Sequence, residues 1–180
     1  YTELFQSQNY RDYILNYLIV NLGIRNMDCN LYFTRNKKVI QKPKKAEQDA
    51  HDKNYLYVTK HYVWFVCNDY KTSKTYGRKR LRIKNAAFQK AVNTIYVNTY
   101  DDPLLKTNEG KHVKEVSVNK YIQERTYMGI GEGRIFKALI RDIMGMTDLL
   151  TASLKLKLLS ESRGVDVNTI MKNYNTNLPI

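Results

Sequence analysis

One tyrosine near the end of the sequence has a hydroxyl that could do chemistry. Tyr174 lies in the closing segment "VDVNTIMKNYNTNLPI", on a predicted short helix. A tyrosine hydroxyl becomes a nucleophile when neighbouring groups activate it, and the product is a covalent enzyme intermediate. The alternative is a packing role for the ring, since the chain holds 15 tyrosines. The sequence around Tyr174 leaves both roles open.

A dense run of cations precedes the helical half of the chain. The segment "KTSKTYGRKRLRIK", residues 71–84, has seven Lys and Arg and no acid. We expect a two-stranded ribbon with a cationic tip, which fits a DNA groove and neutralises phosphates. The alternative is a solvated charged turn. The residues predicted to contact DNA are Lys74, Arg78, Lys79, Arg80 and Arg82, with Arg134 and Lys137 in a later helix.

The overall charge also indicates a polyanionic partner. The chain has 180 residues, with 30 Lys and Arg against 17 Asp and Glu, which gives a net charge of +13. Charge of one sign on this scale raises self-repulsion, and nucleic acid is the partner that best compensates it. No segment combines a basic face with a strongly apolar one, so we expect no membrane partner. The alternative is a basic protein without a specific partner.

Most other catalytic motifs are missing from the sequence. It has no Walker A, HExxH, paired CxxC or GxSxG pattern, and the glycines of "GIGEGR" (129–134) have the wrong spacing for a dinucleotide turn. His51, His61 and His112 are well separated, so we expect surface histidines and no metal site. Cys29 and Cys67 are expected to be reduced and structural. We therefore predict no metal and no small-molecule cofactor.

The elements that must position these residues suggest one α+β domain spanning residues 1–180. A helix with Ser7 as its cap is predicted to end at Gly23, and the short strand "NLYFT" follows. Residues 35–53 are predicted to be a charged, exposed insertion. The segments "NYLYVTK", "HYVWFVCND" and "KRLRIK" predict a small antiparallel three-stranded sheet. From Asn85 on, helical segments predict a bundle, interrupted by the loop "TYDDPLLKTNEGKHV".

The order of these motifs resembles the catalytic domain of the tyrosine recombinase (phage integrase) family. "NLGIRNMDCNLYF" is similar to the family's first arginine box, with Arg25 in the arginine place. "NDYKTSKTYGRKRLRI" looks like the hairpin that carries the catalytic lysine, which Lys71 matches best and Lys74 second. "KALIRDIMGM" places Arg141 on the arginine of a His-x-x-Arg motif. In "SESRGVDVNTIMKNYN", Tyr174 stands ten residues after Gly164, where the family has its nucleophile.

The resemblance implies a DNA strand-cleaving and rejoining enzyme that acts through a 3′-phosphotyrosyl intermediate. Tyr174 would attack a backbone phosphate, Arg25 and Arg141 would bind its oxygens, and Lys71 would protonate the leaving 5′-oxygen. Ala138 and Val165 stand at the two histidine positions of the family, and Lys137 is next to the first. Losing acid–base groups lowers rates by ~10²–10⁴-fold, which describes a slow enzyme or an inactive one.

Two alternatives remain open from the sequence. The first is a catalytically inactive DNA-binding module of the same fold, which the replaced histidines favour. The second is an unrelated basic protein that binds RNA or DNA by stacking bases on tyrosines. The second predicts aromatic residues along a sheet face, with Arg25 and Arg141 far apart. The recombinase reading predicts instead that Arg25, Arg141 and Lys71 face one phosphate-sized pocket.

The resemblance also sets expectations about partners and context. We expect double-stranded DNA as the partner and a homo-oligomer, a tetramer on DNA, with the segment after Tyr174 docking on a neighbour. The family's separate N-terminal DNA-clamping domain is missing from the sequence, which agrees with a fragment that begins at Tyr1. We expect an intracellular protein, in cytoplasm or nucleus, from a large DNA virus or mobile element.

Overall fold

The computed structural model describes residues 2–41, 53–125 and 131–174, and for Tyr174 the backbone alone. Residues 42–52 of the predicted insertion, Gly129 and Ile130 of "GIGEGR", and the segment after Tyr174 lie outside the described residues. The helices are α1 (Thr2–Gln6), α2 (Tyr10–Leu22), α3 (Ser73–Tyr76), α4 (Ala86–Ile95), α5 (Val118–Arg125), α6 (Glu132–Met144), α7 (Leu149–Arg163) and α8 (Val167–Tyr174). The strands are β1 (Leu31–Thr34), β2 (Asn54–Val58), β3 (Val63–Cys67), β4 (Lys79–Ile83) and β5 (Asp102–Pro103).

The α+β class is confirmed, but the predicted three-stranded antiparallel sheet is wrong. The described strands form one mixed sheet of five in the order β4-β3-β2-β1-β5. β1 joins β2 in parallel, from the pair Leu31–Asn54 to the pair Thr34–Tyr57, while the other pairs are antiparallel. A parallel pair needs a crossover of a dozen residues or more, and the 19 residues 35–53 supply that length. The architecture therefore differs from a helical bundle with a small sheet.

The two faces of the sheet have different surroundings. Strand alternation turns one face, with Leu31, Phe33, Leu56, Phe65 and Ile83, toward α2, α4 and α5 in the main core. The opposite face is mainly aromatic and is partly covered by a 3₁₀ turn, Lys37–Ile40. Its residues are Tyr32, Tyr55, Tyr57, Tyr62, Trp64 and Val66, packed with Val39 and Ile40. Aromatic residues therefore line one sheet face, as the stacking alternative predicts.

Helix α2 reaches the site through its C-terminal turn. Asn9, rather than Ser7, caps its N-terminus and accepts from the Asp12 amide at 3.4 Å. Gly23 ends the helix in the left-handed region, with φ of 61°. The amide of Ile24 then donates to the Leu18 carbonyl at 3.2 Å, which closes the turn. The next residue along the chain is Arg25, so the glycine turn fixes where that side chain begins.

Helices α6, α7 and α8 share a smaller core of their own. Phe136, Ile140 and Ile143 of α6 pack with Leu159 of α7 and Ile170 of α8. Asp148 begins α7 by accepting from the amides of Leu150 and Thr151 at 3.0 and 3.2 Å. Among the helices of the described ranges, none has the length and apolarity that a bilayer crossing requires.

Candidate functional site

Three segments that are far apart in the sequence meet at Gly164, in the turn between α7 and α8. Thr72 Oγ1 donates to the Gly164 carbonyl at 2.6 Å. Lys79 Nζ donates to the Glu161 carbonyl at 2.7 Å, and Arg25 Nη1 donates to the Arg163 carbonyl at 2.7 Å. We call the residues Arg25, Tyr70, Thr72, Lys79, Arg163 and Gly164 the Gly164 junction. It brings together the α2–β1 turn, the β3–β4 connection and the end of α7.

The junction requires a glycine at position 164 for two reasons. Gly164 ends α7 with φ of +64°, in the left-handed region that side chains disfavour. A Cβ at this position would lie 2.6 Å from Tyr70 Cε2 and still closer to Lys79 Nζ. The Tyr70 hydroxyl donates to the Gly77 carbonyl at 2.5 Å, which holds its ring against Gly164. The absence of a side chain therefore lets the hairpin approach the helix turn.

Arg163 joins three helices beneath the junction, although it is one of the most buried charges in the described residues, with 2% of its surface exposed. Its Nε donates to the Gly23 carbonyl at 2.7 Å, and its guanidinium forms an ion pair with Glu132 at the start of α6. The guanidinium also lies over the Phe136 ring, 3.6 Å from the centroid. Arg163 thus connects α7 to α2 and α6. Sequence reasoning missed it, because an arginine at a helix C-terminus is usually exposed.

Arg25 lies at the junction, in the turn between α2 and β1. Its Nη1 is 3.8 Å from the Asp28 carboxylate, which is almost completely buried. Burial raises the pKa of Asp28 to about 6, and the charge of Arg25 limits the rise. The folded chain therefore holds a proton on Asp28 more tightly than the unfolded chain, so this group's contribution to stability is lost as pH rises through about 6. Near neutral pH the charged carboxylate keeps Arg25 beside Gly164.

Lys79, predicted only as a DNA contact, lies at the centre of the junction. Its amine is 4.4 Å from the centroid of the Tyr70 ring. Burial lowers the pKa of Lys79, and burial raises that of Tyr70 to about 12. An amine whose pKa lies closer to neutrality gives up its proton more readily, which is the property a proton donor needs.

Lys71, the first choice for the catalytic lysine, has no contact with Gly164 among the described residues. It is exposed and lines a cavity of about 630 Å³ at the ends of β1 and β2, together with Asp28, Lys74 and His112. Within the described residues, neither Lys71 nor Lys74 has a hydrogen-bond or ion-pair partner. Asp28, the ion-pair partner of Arg25, lines this cavity as well.

His112 is not the solvated loop residue that the sequence predicts. It is half-buried, its Nε2 is 2.6 Å from Asn30 Oδ1 and its Nδ1 is 3.4 Å from the Tyr32 hydroxyl. Burial, followed by the charge of Lys53, lowers its pKa, so it is neutral near pH 7. His61 is exposed, and His51 lies outside the described residues. In the ranges that the structure describes, no group of His, Cys, Asp and Glu could hold a metal ion.

Arg141 does not join the other predicted catalytic cations. It is exposed on α6, five residues after buried Phe136, which is about 140° around the helix from the face that packs. Arg134 and Lys137 are exposed on the same side and form a basic stripe with it. In the described part of the chain, no contact links Arg141 to the Gly164 junction. The predicted pocket of Arg25, Arg141 and Lys71 is therefore not formed.

The three arginines of the hairpin already have partners within the chain. Arg78 Nη1 donates to the Gln41 carbonyl at 2.6 Å, and Arg80 donates to the Ile40 carbonyl. Burial, with the nearby charge of Arg80, lowers the pKa of Arg78 to about 10. Arg82 stacks on Tyr62, 4.8 Å from the ring centroid. Arg78 and Arg80 thus fasten the turn that precedes residue 42 to the sheet. Lys74 is the exposed cation of α3.

Tyr174 is the last residue of α8, and α8 begins just after the junction. The helix spans Val167–Tyr174, so the Tyr174 backbone is about 10 Å along the axis from its first residue. The tyrosine side chain lies outside what the structure describes, and its role stays a prediction. Asp166 caps the helix by accepting from the Thr169 amide at 2.9 Å.

In comparisons with known proteins, no family model, curated protein or solved structure matches the chain.

The geometry of the junction shows a pair of basic groups, Arg25 and Lys79, with the buried carboxylate of Asp28 beside them. Fixed cations of this kind bind phosphate oxygens and stabilise charge that develops on them.

Proposed function

We propose that this protein binds double-stranded DNA and cuts and rejoins one strand through a covalent link between Tyr174 and a 3′-phosphate. The main support is that three stretches that carry the resemblance, around Arg25, Lys79 and Gly164, meet at one point. A protein that is merely basic would not need these three distant segments to contact one another. The helix that carries Tyr174 starts from the same point.

In the proposed reaction, the Tyr174 oxygen attacks phosphorus and the bond from phosphorus to the 5′-oxygen breaks. The tyrosine proton leaves to solvent, and the 5′-oxygen takes a proton from a lysine. We assign this role to Lys79 instead of Lys71, because its amine lies beside Gly164 and burial lowers its pKa. Rejoining reverses these steps, since the phosphotyrosyl bond conserves the energy of the broken one.

Arg25 is the group proposed to stabilise the phosphate in the transition state. Its contacts to the Arg163 carbonyl and to Asp28 both use Nη1. Within the described residues, Nε and Nη2 have no hydrogen-bond partner, which leaves them for phosphate oxygens. Arg141 faces away from the junction and so does not bind the same phosphate. The two positions where the family has histidines hold Ala138 and Val165. We therefore expect slow turnover.

The test is a covalent-trapping assay with a pool of nicked duplexes whose sequence around the nick is randomised. Cleavage near a nick releases a short fragment, so rejoining fails and the adduct accumulates. The wild type and Tyr100→Phe, which changes a 65% exposed tyrosine, should form the adduct. Tyr174→Phe should not, because it lacks the nucleophile. An adduct that persists in Tyr174→Phe, or none in the wild type, would contradict the proposal.

A second candidate is a nucleic-acid-binding protein without turnover. The position of Arg141 on the outside of α6 favours it, as does the aromatic sheet face. Tyr62, Trp64 and Arg82 lie together at the part of this face near β4, where bases could stack on them. For the recombinase proposal we expect a homo-oligomer on duplex DNA. For the second candidate we expect the sheet face to bind single strands.

A further inference from the structure

A cavity lies between the β3–β4 hairpin and the α7–α8 turn, directly beside the Gly164 junction. Its volume is about 450 Å³, a size typical of sites for small organic groups. Phe65 and Leu81, which pair across β3 and β4, form one wall, and Val165 forms the opposite one. We call it the hairpin cavity. Its walls are apolar although the hairpin around it is strongly basic.

Several polar residues also line the hairpin cavity. Lys79 reaches it from β4, and Ser160, Glu161, Ser162 and Asp166 border it on the helix side. Ser160 Oγ donates to the Val165 carbonyl at 2.5 Å, and Asp166 caps α8, so both are fixed in place. A ligand that fills this cavity therefore needs apolar faces toward Phe65, Leu81 and Val165, with hydrogen-bonding groups on its rim.

The mouth of the cavity carries an exposed ring and exposed charges. Tyr76, at the end of α3, is 51% exposed and lines the cavity. Arg80 and Lys79 also line it, and Lys74 is exposed two residues before Tyr76 on α3, where it lines the neighbouring cavity. Aromatic rings stack on the faces of bases, and cations attract phosphates. A flat group inside with a phosphate outside is the chemistry of a nucleotide within a DNA strand.

We propose that the hairpin cavity takes one nucleobase that has left the duplex, beside the phosphate bound at the Gly164 junction. This inference rests on the proposed DNA binding but does not depend on cleavage. Removing a base from the stack costs free energy, and the cost is lowest for a base that is already unpaired. The protein should therefore prefer DNA that contains an unpaired base.

The experiment measures dissociation constants by fluorescence anisotropy at one fixed salt concentration. The ligands are a paired duplex, the same duplex with a one-nucleotide bulge, and a bulge whose nucleotide lacks a base. The wild type should bind the bulged duplex about tenfold more tightly than the paired one, since less of the unstacking energy remains to be supplied. The abasic bulge should lose this gain, because its backbone is flexible but has no base to insert.

Two variants test the cavity itself. Val165→Trp fills it and should remove the preference for the bulge, while Val116→Trp, at a 91% exposed position, should retain it. Tyr76→Ala should weaken the preference several-fold by removing the stacking ring, whereas Tyr100→Ala should not. Both Tyr76 and Tyr100 are exposed, so these two variants should fold like the wild type.

The outcomes separate this inference from the proposed function. If the base-containing and abasic bulges increase the affinity equally, the protein recognises only the flexibility of the backbone. That result would contradict a base-binding site in the cavity. So would a preference that survives both Val165→Trp and Tyr76→Ala. A covalent adduct without any bulge preference would support the proposed strand cleavage and contradict base binding in the cavity. A bulge preference without an adduct would support base binding in the cavity and contradict strand cleavage.

Discussion

At the scale of single residues, position 164 is the one where the structure most clearly requires a glycine. Its backbone is left-handed, and a Cβ would meet Tyr70 and Lys79. Gly164→Ala should therefore lower the free energy of unfolding through two costs. Placing a side chain on a left-handed backbone costs ~1–2 kcal/mol, and overpacking against Tyr70 and Lys79 costs ~1–3 kcal/mol. Denaturant unfolding measures the sum.

Gly110→Ala is the matched control for this prediction. Gly110 is also left-handed, with φ of +77°, but no atom lies within 4 Å of the Cβ position. The free energy of unfolding of Gly110→Ala should therefore fall only by the cost of the left-handed backbone, ~1–2 kcal/mol. If the two alanine variants lose equal stability, the close approach of the hairpin to Gly164 is not real, and the junction loses its main support.

The sequence could suggest some of the junction residues and not others. Arg25 and Gly164 follow from the resemblance, because glycine turns mark their positions. Lys79 could be placed only within a basic hairpin, since the spacing of charges does not show which lysine points toward a helix turn. The buried positions of Arg163 and Asp28 were not predicted. Their roles depend on burial, which arises only when three distant segments pack together.

At the scale of secondary structure elements, the Arg163–Glu132 pair fastens α6 to α2 and α7. Arg163→Met should destabilise the fold by about 3–5 kcal/mol, because it leaves the Glu132 carboxylate and the Gly23 carbonyl without their donor. Lys137→Met, which removes an exposed cation from α6, should change the free energy of unfolding by less than about 0.5 kcal/mol.

A double variant shows whether the loss comes from the pair. Adding Glu132→Gln to Arg163→Met removes the unpaired charge, so the double variant should recover part of the stability lost by Arg163→Met. Additive losses in thermal or denaturant unfolding would mean that the two side chains do not interact. In that case α6 would be held chiefly by the Phe136 and Ile140 contacts.

Most elements could be predicted from local patterns, and the errors share a physical cause. The helices after Asn85 and the strands β2, β3 and β4 have strong periodicity or β-branched and aromatic runs. The pairing of β1 with β2 depends on a parallel crossover, which leaves no local signal in either strand. Strand β5 has only two residues, one of them Pro103, so its place at the sheet edge follows from tertiary contacts alone.

At the scale of the whole molecule, the central question is which face of the sheet takes nucleic acid. The face toward the helices ends at the Gly164 junction and the hairpin cavity. The other face carries Tyr62, Trp64 and Arg82, and part of it is covered by the turn that Arg78 and Arg80 hold. The net charge of +13 predicts binding to DNA but does not select a face.

Trp64 can report on this choice because it is the chain's one tryptophan. It sits on the aromatic face, 6.3 Å from the Tyr62 ring in an edge-on arrangement, and its strand neighbour Phe65 faces the other way. If duplex DNA binds at the junction, as we propose, saturating duplex should leave Trp64 emission unchanged while anisotropy shows binding. Lys74→Ala should weaken that binding, because an exposed phosphate contact is lost. Quenching of Trp64 by a single-stranded oligonucleotide, lost in Tyr62→Ala, would instead identify the aromatic face as the binding surface and favour the second candidate.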